Sequence, residues 1–315
     1  MKTKFVWGLG GVGKSHICLR EAIRASSSMK VVMMTLDPSD RLFFLAGTEP
    51  KEGKNKVHLN DVEFDIKKME AFRLLETLDY AKKASPSLKA FYQKMATGLQ
   101  EFSHYLSLIQ LSREIEKSDY DYLIVDTPPL VEAAGLQRSL FHLKAFFETS
   151  LVQMALKTSR FSLIHFSLKK IFDLSRLFVG QKTTDRVFEL FEWMVERRDQ
   201  FEKAARFLDE LVFSRTTEHV FVLTPDSDPR KLTLMKDLFS EAKNKSFLIN
   251  RSVWNFPNGA PDDPFSQEML RLKSLEERLL AELKSLQPNA QFERIPMILM
   301  GEDTTDELIK FSKVS

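Results

Sequence analysis

A short apolar run, Phe5-Val6-Trp7, feeds directly into Gly8-Leu9-Gly10-Gly11-Val12-Gly13-Lys14-Ser15, and a helical pattern follows from His16. This strand, loop and helix constrain the fold more than any other stretch, because the loop fits G-x-x-x-x-G-K-S/T, the spacing of a phosphate cradle. Its glycines reach backbone dihedrals closed to other residues and leave no side chain between the loop amides and the phosphates. Lys14 would then lie along the β and γ phosphates, Ser15 would offer its hydroxyl to Mg2+, and the helix opening at His16 would add its positive end. Gly8, Gly10, Gly11, Val12, Gly13, Lys14, Ser15 and His16 are therefore the expected contacts of a nucleoside triphosphate. The motif speaks for binding and leaves hydrolysis open.

Further apolar, β-rich runs recur at Lys30 to Leu36, Tyr120 to Val125, His219 to Thr224, Ser246 to Asn250 and Phe292 to Leu299, after the first at Thr3 to Trp7. Helical patterns lie between them. Strands alternating with helices predict an α/β fold, a doubly wound and mostly parallel sheet of the P-loop NTPase type, in which ligands bind at the carboxyl ends of the strands. With 315 residues and 43% hydrophobic content the chain can bury a large core. A prior of about 150 residues per domain allows one large domain with a substantial insertion.

The expectation is a single domain over residues 1–315 whose sheet is interrupted by helical insertions at about 66–117 and 135–213, together forming a helical subdomain. Within the second, Val187, Leu190, Phe191, Met194, Phe201, Ala205 and Leu208 recur at helical spacing with charged residues between them. Twelve of the 26 phenylalanines fall between Gly135 and Phe213, so this subdomain either packs against itself or leaves an apolar groove.

Two carboxylates stand at strand ends. Asp37 follows Val31-Val32-Met33-Met34-Thr35-Leu36 and precedes Pro38-Ser39-Asp40; it is placed either to orient an attacking water or to cap its own loop. Asp126 closes Tyr122-Leu123-Ile124-Val125 and precedes Thr127-Pro128-Pro129, the form of a Walker B strand, whose carboxylate holds Mg2+ directly or through water. Asn250-Arg251, after Phe247-Leu248-Ile249, supplies an amide able to read a base edge. The Asn-Lys-x-Asp pattern that reads guanine follows none of the strands, which favours ATP.

Composition excludes several classes. Lys plus Arg number 46 against 44 Asp plus Glu, and a net charge of +2 gives no whole-chain reason to expect nucleic acid as a partner. Cys18 is the only cysteine, so neither an intrachain disulfide nor a Cys-pair metal site can form. The chain opens on a strand rather than an apolar leader, and no apolar run approaches the roughly 18 residues that span a bilayer. A cytoplasmic chain without a transmembrane segment is expected.

Taken together, the motifs resemble those of the ArsA-type P-loop ATPases, a family that includes the arsenite pump ATPase and the tail-anchored-protein targeting ATPase. GLGGVGKS resembles the family's GKGGVGKT loop, LDPSD its switch I segment TDPA, VDTPP its switch II segment DTAP or DTPP, and LTPDSDP with LINRS its late strand and base-reading segments. The helical insertions fall where the family carries them. The resemblance implies a nucleotide-gated dimer using ATP and Mg2+, with Lys14 and Asp37 catalytic, Ser15 and Asp126 at the metal, and Asn250 and Arg251 at the base.

The departures matter equally. Where the family's loop carries a second lysine that reaches the partner's nucleotide, this chain has Leu9. A cation supplied in trans is worth about 10³ to 10⁵ in rate, so the chain is expected either to hydrolyse ATP slowly as a homodimer or to pair with a lysine-bearing paralogue. Arg41 is one candidate substitute. The clustered cysteines of arsenite transport and the zinc-binding Cys-x-x-Cys of the targeting members are both missing, and a hydrophobic client is expected, if anywhere, at the Phe-rich helices.

Overall fold

The structure, a computed structural model, describes residues 1–37, 39–50, 54–59, 61–69, 100–116, 119–129, 198–228, 230–231, 242–258 and 262–296. An eight-stranded sheet forms its frame. The strands are β1 (Lys2–Gly8), β2 (Val31–Thr35), β3 (Lys54–Leu59), β4 (Val62–Lys68), β5 (Tyr122–Asp126), β6 (Thr217–Leu223), β7 (Asn244–Ser252) and β8 (Gln291–Pro296), in the spatial order β3-β4-β2-β5-β1-β6-β7-β8. Every pairing is parallel except the β3–β4 hairpin at one edge. The mostly parallel α/β sheet read from the sequence is thus the observed fold.

The described helices are α1 (Lys14–Ser26), α2 (Arg41–Leu45), α3 (Gln100–Glu116), α4 (Arg198–Val212) and α5 (Pro264–Leu286). The contacts divide the chain into two units: Met1–Met69 with Ser118–Ala134 and Leu211–Ser315, and Glu70–Lys117 with Gly135–Glu210. The first carries all eight strands, α1, α2 and α5. In the second, α3 and most of α4 are described, while the Phe-rich stretch 135–197 lies outside the described residues, as do residues 70–99. No helix among the described residues is long and apolar enough to cross a membrane.

The hairpin corrects one expectation. β4 continues to Lys68, so the chain is still strand where helix was expected from about Ile66, and neither β3 nor β4 was anticipated. β3 is the edge strand, and β4 beside it sets Glu63, Asp65 and Lys67 between Val62, Phe64 and Ile66, with Asp65 buried alongside Phe64 and Ile66, so neither strand runs apolar throughout. At the other edge, β8 reaches Pro296; the remainder of the run expected to Leu299 lies outside the described residues.

Central strands are buried on both faces, which is why they read as continuous apolar runs. One face of β1, β2 and β5 offers Val6, Val31, Met33 and Ile124 to a cluster with Ile17, Cys18, Ala22 and Ile23 of α1 and Leu42 and Phe43 of α2. The other face is aromatic. Phe5 lies in register with His219, and Phe221 with Phe247 and Phe292, with ring centroids 5.5 to 5.6 Å apart along that row. Such pairs contribute roughly 0.5 to 1.5 kcal/mol each beyond their area.

His219 is fixed in one tautomer within this face. Trp7 has only an indole N–H to give, and it donates to Nδ1 at 3.0 Å, so Nε2 carries the proton and donates to the Val212 carbonyl at 2.7 Å. Burial lowers the imidazole's pKa to about 4, aided by the charge of Lys245 and opposed by the Val212 bond. The unfolded chain takes up this proton near pH 6.5 and the folded chain only near pH 4. The stability is therefore complete above about pH 6.5 and is lost as pH falls toward 4. Wild type should lose about 3 kcal/mol of stability relative to His219→Gln, whose amide can keep both bonds, between pH 7 and pH 4 in urea unfolding. Parallel pH profiles for the two proteins would contradict a neutral buried imidazole.

Candidate functional site

Parallel register decides which chemistry-bearing residues meet. Asp126 at the end of β5 stands opposite Val6 of β1 on one side and Thr35 of β2 on the other. Since the three strands run the same way, the loop after β1, Asp126 itself and Asp37 two residues beyond β2 share one edge of the sheet. Leu36 N–H donates to the Asp126 carbonyl at 2.9 Å, fastening the chain that leaves β2 to the end of β5.

The loop is packed against neighbouring strand ends. Gly13 precedes α1 at φ 89°, in the left-handed region. A Cβ there would lie 2.4 Å from Asn250 Nδ2, and a Cβ on Gly8 would lie 2.6 Å from the Val222 carbonyl oxygen. Asn250 uses this closeness: Nδ2 donates to the Val12 carbonyl at 2.9 Å, while Oδ1 accepts from Arg251 N–H at 3.1 Å. Arg251 adopts φ 56°, rare for a residue with a side chain. Desolvation, with the Arg251 charge second, holds the His16 imidazole below its ordinary range.

Asp126 is the most constrained charged group of the site, only 1% exposed. Its Oδ2 accepts from Ser15 Oγ–H at 2.8 Å, and Oδ1 has no hydrogen-bond partner. Burial pushes its pKa up to about 6; the Ser15 bond and the Lys14 ammonium oppose this, and Asp37 adds to the rise. A half-satisfied buried carboxylate beside a hydroxyl is the hard-oxygen donor set that suits Mg2+. Lys14 is itself buried, with Nζ donating to the Leu9 carbonyl at 3.4 Å.

Asp37 is held by its own turn. Its N–H donates to Thr35 Oγ1 at 3.1 Å and its Oδ1 accepts from Ser39 N–H at 2.8 Å, an Asx turn that leaves the second carboxylate oxygen for other partners. Cys18 lies behind the loop, and burial, followed by the Asp126 charge, keeps its thiol protonated.

A family model described as an anion-transporting ATPase of the ArsA type matches residues 1–303. The chain belongs to the ArsA ATPase family. It is 24% identical over 333 residues to a putative arsenical pump-driving ATPase 2 of Aquifex aeolicus (strain VF5), covering 99% of this chain and 98% of that protein. It is 22% identical over 319 residues to an ATPase get3 of Schizosaccharomyces japonicus (strain yFS275 / FY16936), covering 99% and 91%. For this ArsA-family chain, ATP is the nucleotide and an ATPase is the class of activity.

Two groups in this ArsA-family site were not singled out from the sequence. Glu276 of α5 is 1% exposed and gathers three donors: Ser252 Oγ at 2.6 Å, Val253 N–H at 2.9 Å and Arg294 Nε at 3.3 Å. It fastens the chain leaving Asn250 and Arg251 to α5 and β8. The sequence signal was a glutamate seven residues from both Met269 and Leu283, in the apolar stripe of the helix. The second, Lys68, ends the unexpected strand β4.

Gly11 and Gly13 separate strain from contact. Both have positive φ, but a Cβ on Gly11 meets nothing within 4 Å. Gly11→Ala should cost only the left-handed backbone, about 1 kcal/mol. Gly13→Ala must also displace Asn250, and should weaken ATP-analogue binding at least tenfold more than Gly11→Ala, about 1.4 kcal/mol in binding energy. Titration calorimetry on both variants checks this, and equal affinities would remove the Asn250 clasp from loop function.

Proposed function

We propose that this chain is a Mg2+-dependent ATPase whose nucleotide state opens and closes a dimer and thereby remodels a helical subdomain built from the insertions at about 66–117 and 135–213. The observation that carries the reading is the convergence at Asp126: a buried carboxylate with one oxygen on Ser15, one oxygen unpartnered, and Lys14 and Asp37 acting on its charge. Ser15 and Asp126 would hold Mg2+, directly or through water. The bound metal would supply neutralisation of charge on the β and γ phosphate oxygens.

The remaining roles belong to the chain. Gly8 through Ser15 bind the phosphates, with Lys14 countering charge on the transferred group and the first turn of α1, from His16, adding its amides. Asp37 orients water for attack; its Ser39 bond fixes one oxygen and leaves the other for this task. Asn250 and Arg251 form the base side. A hydrophobic client would be met at the Phe-rich stretch, and the chain works in the cytoplasm without nucleic acid.

One observation favours a second reading, a hydrolysis-poor nucleotide-binding subunit that regulates a lysine-bearing paralogue. Leu9, at the position of the family's second loop lysine, is partly buried against the apolar cluster under α1. It supplies packing and no charge.

Lys14→Ala should abolish phosphate release, and Asp37→Asn should lower kcat by about 10² or more while the affinity for a non-hydrolysable analogue is kept. Leu9→Lys should raise turnover of the purified chain if the trans cation is what limits it. Light scattering with and without the analogue reads the dimer. Unchanged turnover in Asp37→Asn would remove that residue from the mechanism, and a monomer under both conditions would sink the switch.

A further inference from the structure

The segment that carries Asp37 is fastened at two levels. Its backbone is tied at the start, where Leu36 N–H donates to the Asp126 carbonyl and Met69 N–H donates to the Thr35 carbonyl, each at 2.9 Å. Beyond Asp37 the tie is a side chain. Lys68, opposite Thr35 in the β2–β4 register, donates from Nζ to Asp40 Oδ1 at 2.6 Å. The lysine side chain is 16% exposed and the aspartate 39%, so the pair is only partly screened by solvent.

Asp40 occupies the cap position of α2, where a carboxylate ordinarily accepts from the helix's first amides. Its side chain makes no cap bond; only its carbonyl serves the turn, accepting from Phe43 N–H and Phe44 N–H at 3.0 and 3.2 Å. The carboxylate is directed across to β4 instead. A capping residue that gives up its cap for an ion pair with a neighbouring strand fixes the far end of the Asp37 turn relative to the sheet.

We infer that Lys68 is a positioning residue for hydrolysis: by holding Asp40, it sets where Asp37 stands relative to the phosphate loop. This rests on the ATPase reading above. Lys68 touches neither substrate nor metal in this role and acts through the turn Asp37 to Asp40. Misplacement of a catalytic group by about 1 Å can cost on the order of 10² in rate, whereas ATP affinity is set by the loop and Asn250, which the pair does not touch.

The test uses Lys68→Met, Asp40→Asn and the exchanged pair Lys68→Asp with Asp40→Lys in the full chain. Turnover at saturating ATP and Mg2+ is expected to fall about tenfold or more in each single variant, with the Kd of a non-hydrolysable ATP analogue within about twofold of wild type, and to recover in the exchanged pair. Amide exchange of residues 36–47 in nucleotide-free protein should accelerate in both single variants and return in the exchanged pair. Wild-type turnover in the single variants overturns the inference, as does loss of kcat and affinity in equal proportion, an exchanged pair no better than either single change, or unaltered amide exchange. A wild-type chain without turnover would instead sink the ATPase reading, and accelerated exchange in Lys68→Met would still support the tie.

Discussion

A carboxylate buried between β1 and β2, with one of its oxygens bonded and the other not, is the constraint on which the site depends. Burying an ionised group without partners costs several kcal/mol, and Asp126 answers that cost only partly, through the Ser15 hydroxyl and the nearby Lys14 charge. For Ser15 to face the end of β5, α1 must begin one residue earlier, and the chain must turn through a left-handed residue to reach it. Gly13 supplies that turn. With no side chain at Gly13, the Asn250 amide can close on the Val12 carbonyl. The loop, β7 and the end of β5 are thus a single chain of dependence that starts from one unsatisfied oxygen.

The sheet makes this arrangement rigid by dividing its two faces. Aliphatic residues of β1, β2 and β5 anchor α1 behind the loop, while the opposite face holds the row Phe5, His219, Trp7, Phe221, Phe247 and Phe292. A helix anchored at Ile17, Cys18, Ala22 and Ile23 cannot drift relative to β1, so the amides at its start remain aimed at the same point. Glu276 does the corresponding work at the far edge: the strand β7 is irregular between Ile249 and Ser252, and its exit is refastened at once to α5 and β8.

What the sequence made legible follows from burial on both faces. β1, β2, β5 and β6 carry apolar runs because the middle of a parallel sheet is covered on both faces, and the ends of these runs therefore announced Gly8, Asp37 and Asp126. The hairpin was less visible. Val62, Phe64 and Ile66 alternate with Glu63, Asp65 and Lys67, a period of two that is a strand signal, but neither β3 nor β4 carries the continuous apolar run that marks the central strands. With the hairpin went Lys68. The Asn250 bond to Val12 and the Glu276 cluster are pairings of residues far apart in sequence, and such pairs leave no local pattern except an ionisable residue in an apolar stripe.

Leu9 ties the loop inward. A lysine at this position would have to carry its ammonium away from the apolar cluster and into solvent or toward another chain, since burial without a partner would be costly. Leucine gains by the opposite move, packing against that cluster, and its carbonyl accepts from Lys14 Nζ. The same residue thus anchors the loop through its side chain and holds Lys14 through its backbone. In the proposed ATPase, the positive charge that this chain itself sets against the phosphates would come from Lys14 and the α1 amides, with Leu9 contributing stiffness rather than charge.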